Sequence, residues 1–152
     1  MKRKFGLIVS ALALIVVMVA TLAACGSTWG KIKKAYEKEN YHEVEMSEDL
    51  KKTLHLDEMP KTEVKMTIHV MTTAELPEKP SALDYAKLLT AKYAVILEFT
   101  STSDVKKYAE EHYTEEQKKD MEKAWEEFQK LDSVNGNCVL VMGDGAIFKG
   151  TK

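Results

Sequence analysis

Several things that would assign a class quickly are missing from this chain. Basic charge is not in excess: 22 Lys and Arg face 24 Asp and Glu, so there is no cationic footprint of the kind nucleic acid requires. Cysteine occurs only at Cys25 and Cys138, too few for a framework of disulfides. The familiar catalytic and metal motifs are absent too. "HEVEM", residues 42–46, approaches the HExxH zinc signature, but Met46 stands where the second histidine belongs. The segment also alternates like a strand, whereas that motif needs both histidines on one helical turn. His42, His55, His69 and His112 show no ligand spacing. No serine sits in a G-x-S-x-G elbow. "GDGAIFKG" lacks the Lys-Ser/Thr pair that follows a phosphate loop, and "DSVNGN" puts Val134 and Gly136 where a calcium loop needs oxygen. The sequence therefore assigns no catalytic residue, no metal ligand and no cofactor.

Long apolar runs are also scarce, with one exception. Residues 5–24, "FGLIVSALALIVVMVATLAA", carry no charge and follow Lys2, Arg3 and Lys4. A basic start, an apolar core and small residues at its end make a secretory signal. The run ends in Leu22-Ala23-Ala24-Cys25, which resembles the lipobox of bacterial lipoproteins. The resemblance implies a diacylglyceryl group on the Cys25 sulfur and cleavage just before it. Residues 1–24 are then the signal peptide, Cys25 is the first mature residue, and two acyl chains hold the protein at the membrane where one would not. The alternative is an uncleaved transmembrane anchor, for which about 20 apolar residues suffice. In both cases the cationic start stays inside and the rest of the chain lies outside the cytoplasm.

The mature part, residues 25–152, loses three basic residues and no acidic one, leaving 19 against 24, or −5. Its length suits one domain. After a short tether at residues 25–28, residues 29–152 read as a single α+β domain. Four to five strands form one sheet, with helices mainly on one face. Trp29, Ile32 and Tyr36 mark a first helix, which Asn40 can end. "YHEVEM" alternates as a short strand, and Ser47 caps a second helix carrying Leu50 and Leu54. "EVKMTIHVMT" is the clearest strand, with Val64, Met66, Ile68 and Val70 on one side and Lys65, Thr67, His69 and Met71 on the other. Ser81 and Asp84 form a capping box. "YAVILEFTS" is apolar on both faces, as in a sheet's centre. Ser103 opens a long helical region that breaks at a second box, Thr114 with Gln117. "CVLVMG" is a strand, "GDG" a tight turn and "AIFKG" the returning strand. Helix, strand, serine cap, helix, strand occurs in 29–72 and again in 82–142, with "SEDLKK" echoed by "SDVKK". That order suggests two pseudo-repeated halves.

Cys138, in a strand-like run, reads as an inert core residue. Trp125 and Phe128 lie on the apolar stripe of a helix whose Glu115–Lys119 and Glu126–Lys130 pairs describe an ordinary solvated face. Near the anchor, Lys31, Lys33 and Lys34 are placed to meet anionic lipid at roughly 1 kcal/mol each. Lys65, Thr67 and His69 are the candidate ligand-binding residues, as a polar patch on one strand face. The functional expectation is a lipid-anchored, non-enzymatic domain that binds a ligand or another envelope component. A small envelope enzyme built from scattered His, Asp and Glu is the alternative, as is a purely structural surface lipoprotein.

Overall fold

The computed structural model describes residues 27–152; the signal segment 1–24 and the lipid attachment at Cys25 lie outside the described residues. Helix formation starts at once. Ser27 Oγ accepts a hydrogen bond from the Gly30 amide at 3.0 Å and caps α1 (Thr28–Lys38), so the last two tether residues belong to the helix start. Ile32 and Tyr36 are fully buried, a contribution of about 1.5–3 kcal/mol for a side chain of that size. Asn40, at φ +64°, takes the left-handed conformation that ends helices and leads into β1 (His42–Val44). Ser47 Oγ then accepts from the Leu50 amide to cap α2 (Glu48–Thr53). Next come β2 (Met66–Thr72), α3 (Ala82–Ala86) with the Ser81/Asp84 box, and β3 (Tyr93–Phe99).

The long helical region divides as expected, although it begins two residues early. Ser101 caps α4 (Thr102–Glu111) by accepting from the Asp104 amide. The Thr114/Gln117 pair is reciprocal: each side chain accepts from the other's amide, at 3.2 and 2.9 Å. It opens a short 3₁₀ turn, and Asp120 separately caps α5 (Met121–Gln129). The chain ends with β4 (Val134–Asn135), β5 (Cys138–Gly143) and α6 (Gly145–Lys149).

The five strands form one antiparallel sheet in the order β1-β2-β3-β5-β4. β3 is central, with Ala94 to Leu97 fully buried on both faces. One face carries α2, α3, α4 and α5. Leu50, Leu54 and Tyr85 pack there with Val70 and Val95, and Val105 with Leu97, Phe99 and Val139; Trp125 and Phe128 lie against this cluster. α1 and α6 cover the other face, where Trp29, Ile32, Tyr36 and Phe148 meet Met71, Ile96 and Cys138. The fold is thus α+β with most helices on one face and the opposite face also covered. The two halves echo each other in element order alone: α1 and α3, which a repeat would make equivalent, lie on opposite faces.

The C-terminal hairpin is a correction. "AIFKG" is helix, because Asp144 Oδ1 accepts from the Ala146 amide at 3.1 Å and caps α6, while Phe148 fills the core beneath α1. Gly143 makes the exit from β5 possible. Its φ is +93°, and a Cβ there would sit 1.9 Å from the Tyr93 carbonyl oxygen. The tight hairpin lies earlier, where Asn135 pairs with Cys138 across Gly136 and Asn137. Gly136, at φ +57°, supplies the positive φ that a two-residue hairpin needs at its first central position.

Candidate functional site

α1 lies across the face of β2 that carries Thr67 and His69. Met71 on that face is fully buried and His69 is only 9 % exposed, so it is not the solvent-facing patch the alternation predicts. The three candidates separate. Lys65 precedes the strand and Thr67 is exposed; both line a shallow depression of about 160 Å³ together with Glu98 and Thr100. His69 turns under α1 instead. The strand's alternation locates these residues, but it carries no information about which distant helix folds over them.

What surrounds His69 is a compact polar array. The Trp29 indole stacks on the imidazole with ring centroids 3.7 Å apart and an interplanar angle of 13°. Glu43, from β1, places Oε1 2.6 Å from Nδ1, and Lys33 Nζ donates to the other carboxylate oxygen at 2.8 Å. Lys33 is therefore engaged on the core side of α1 and is not free for the lipid contact its position suggests. These contacts hold the Glu43 carboxyl at about 2, well below the usual carboxylate range: the hydrogen bond from His69 contributes most, burial opposes it, and the Lys33 hydrogen bond adds to the lowering. An ionised Glu43 only accepts, so Nδ1 carries the hydrogen. Nε2 is buried without a hydrogen-bond partner among the described residues, and Glu98 Oε2 stands 3.8 Å away, beyond hydrogen-bond reach.

A carboxylate fixing one imidazole nitrogen is the orienting half of an acid–base site. The other half requires Nε2 to reach a reacting group, and here that atom is sealed between the indole and the sheet. Cys138 is paired in register with Glu98. Its thiol is fully buried and pushed up to about 12, by burial first and the Glu98 charge second, so it is protonated and a poor nucleophile. Among the described residues no group of three or more His, Cys, Asp and Glu side chains is placed to hold a metal ion. His42, His55 and His112 are exposed; His55 pairs with Glu58, and His112 Nδ1 lies 2.7 Å from the Tyr108 carbonyl oxygen.

Among the concave surfaces of the described residues, one lies apart from this array and another shares Glu43 with it. An open groove of about 670 Å³ runs between residues 63–65 and α4, with Glu63, Asp104, Glu110 and Glu111 against Lys65 and Lys107. Its Lys107–Asp104 pair, at 3.7 Å and three residues apart, belongs to an ordinary solvated helix. The second, about 290 Å³, is a cleft between edge strand β1 and the Pro77–Pro80 loop. Val44, Met46, Leu76 and Tyr85 give it an apolar lining, and Glu43, Glu45 and Glu78 add carboxylates. Ser47 Oγ donates to the Tyr85 hydroxyl at 3.0 Å, which fixes the ring.

The pairing of Glu43 with His69 and the place of Glu98 beside it escape a reading of sequence alone, although Glu98 leaves a trace. It is the single charge in the otherwise apolar "YAVILEF", and a carboxylate inside a central strand calls for a partner. No protein-family model, curated protein or solved structure matches this chain.

Proposed function

We propose that this protein is a lipoprotein held on the outer face of a bacterial membrane through Cys25, and that its domain binds an envelope partner or ligand without catalysing a reaction. The observation that carries the reading is the placement of Leu22-Ala23-Ala24-Cys25 only two residues before Ser27, the cap of the first helix. The domain starts where the anchor ends. The cleft beside β1 supports the binding role. Its apolar lining, with Glu45 and Glu78 at the rim, suits a ligand that combines apolar and cationic groups. β1 is also the last strand on its side of the sheet, and an edge strand can accept an extended segment.

The Glu43–His69 pair favours a second reading, an envelope enzyme in which His69 Nε2 acts as a base once Trp29 moves aside. Crosslinking tests the binding function. A photoreactive residue is placed at Glu45, at Glu78 or at the control Glu122 on α5, in cells carrying the anchored protein. A discrete adduct from positions 45 and 78 alone is expected. The same products from all three positions, or none from the cleft, would remove the cleft as the binding surface.

A further inference from the structure

The outward side of α1 has a pattern of its own. At 100° per residue, Lys31, Lys34 and Lys38 fall within about 60° of arc, diametrically opposite the buried stripe of Trp29, Ile32 and Tyr36. All three are exposed, and none makes an ion pair among the described residues. Other lysines nearby are engaged: Lys33 holds Glu43, Lys149 pairs with Asp132 at 2.9 Å, and Lys152 donates to the Leu131 carbonyl oxygen at 2.7 Å. Beside the stripe, α1 and α6 enclose a groove of about 440 Å³, with Ala35, Ala146 and Ile147 exposing apolar surface between the lysines and Glu39 as its single carboxylate. This cationic strip belongs to a mature chain whose net charge is −5.

We propose that this face of α1 and α6 lies flat on anionic phospholipid, with the lysine stripe on the headgroups and the groove against their glycerol edge. The proposal rests on the lipoprotein reading, which brings the bilayer to Cys25. Two residues span at most about 7 Å and the helix adds about 1.5 Å per residue, so the whole stripe lies within about 25 Å of the anchored sulfur. Three lysines at an anionic surface favour the docked orientation by about a hundredfold. The orientation also sets the rest of the molecule. Helices α2 to α5 cover the other face of the sheet, so they point away from the membrane. The β1 cleft, lined by Val44, Met46 and Tyr85 from that side, stays open to a partner.

Lysine footprinting of the full mature protein tests this. The lipid-bearing protein is reconstituted in vesicles of phosphatidylcholine alone, or with phosphatidylglycerol added. Acetylation of each lysine is then followed by mass spectrometry. Lys31, Lys34 and Lys38 should react about fivefold or more slowly in the anionic vesicles, and added salt should restore their rates. Lys61 and Lys119 should react equally in both. Equal rates for the stripe in the two vesicle types would overturn the proposal. So would a slowing that ignores lipid charge and grows with protein density, because a second copy would then be the occupant. The same spectra report the mass of the Cys25 peptide. Lipid on Cys25 with an unprotected stripe means that docking alone fails; a bare Cys25 means that the anchor fails, and the docking with it.

Discussion

Replacing Glu43 with glutamine keeps the shape of the side chain and removes its charge, which isolates the electrostatic part of the array around His69. The carboxyl is held at about 2, against an ordinary value of 4.5. At about 1.4 kcal/mol per pH unit this corresponds to roughly 3 kcal/mol of stability, and the 29 % exposure of the side chain trims it toward 2 kcal/mol through solvent screening. The sign follows from proton counting. Between about pH 4.5 and 2 the unfolded chain binds a proton at Glu43 and the folded chain does not, so stability falls as pH falls through this window. Urea unfolding of residues 26–152, followed by tryptophan fluorescence, measures the effect. At pH 7 Glu43→Gln should be about 2–3 kcal/mol less stable than the wild type, and the gap should close as pH falls from about 5 toward 2. A gap of the same size at pH 7 and pH 3 would refute the account, because the loss would then come from shape rather than charge.

Other outcomes follow from individual contacts. Cys138 should react with a thiol reagent only after denaturation, and Cys138→Ser should cost about 1–3 kcal/mol by burying a hydroxyl in its place. Stability should fall between about pH 9 and pH 12, measured by the same urea titrations. The Cys138 thiol is pushed up to about 12, the Tyr41 hydroxyl likewise and the Tyr36 hydroxyl higher still, all chiefly by burial, so the unfolded chain loses these protons first. Asp144→Ala removes the α6 cap and the acceptor of the Tyr41 hydroxyl at 3.1 Å; a loss of about 1–2 kcal/mol in thermal unfolding is expected. Gly143→Ala should cost more than about 1 kcal/mol, since its Cβ meets the Tyr93 backbone.

Local chemistry was legible in the sequence at several helix starts, although the caps at Ser27, Ser101 and Asp120 escaped it and Glu115 pairs with Lys118 at 2.7 Å rather than with Lys119. Ser47, Ser81 with Asp84, and Thr114 with Gln117 all make the bonds their spacing implies, and the doubly apolar run of β3 does occupy the sheet's centre. The larger errors lie where a distant element decides. Asp144-Gly145 satisfies both a hairpin turn and a helix cap, and the choice depends on Phe148 finding space beneath α1. The face of β2 bearing His69 alternates as a solvent-facing one would, and only the return of α1 over it buries the imidazole against Trp29. Glu43 joins that site through the pairing of β1 with β2, which sets Glu43 opposite Met71; nothing in either segment alone records that register.

The mass of the N-terminal peptide of the protein extracted from bacterial membranes tests the central claim most directly. The chain should begin at Cys25, lack residues 1–24 and carry a diacylglyceryl group on the sulfur, with Cys25→Ser abolishing both the lipid and the cleavage. A wild-type chain that retains residues 1–24 with an unmodified Cys25 would contradict it and leave an uncleaved transmembrane anchor in its place.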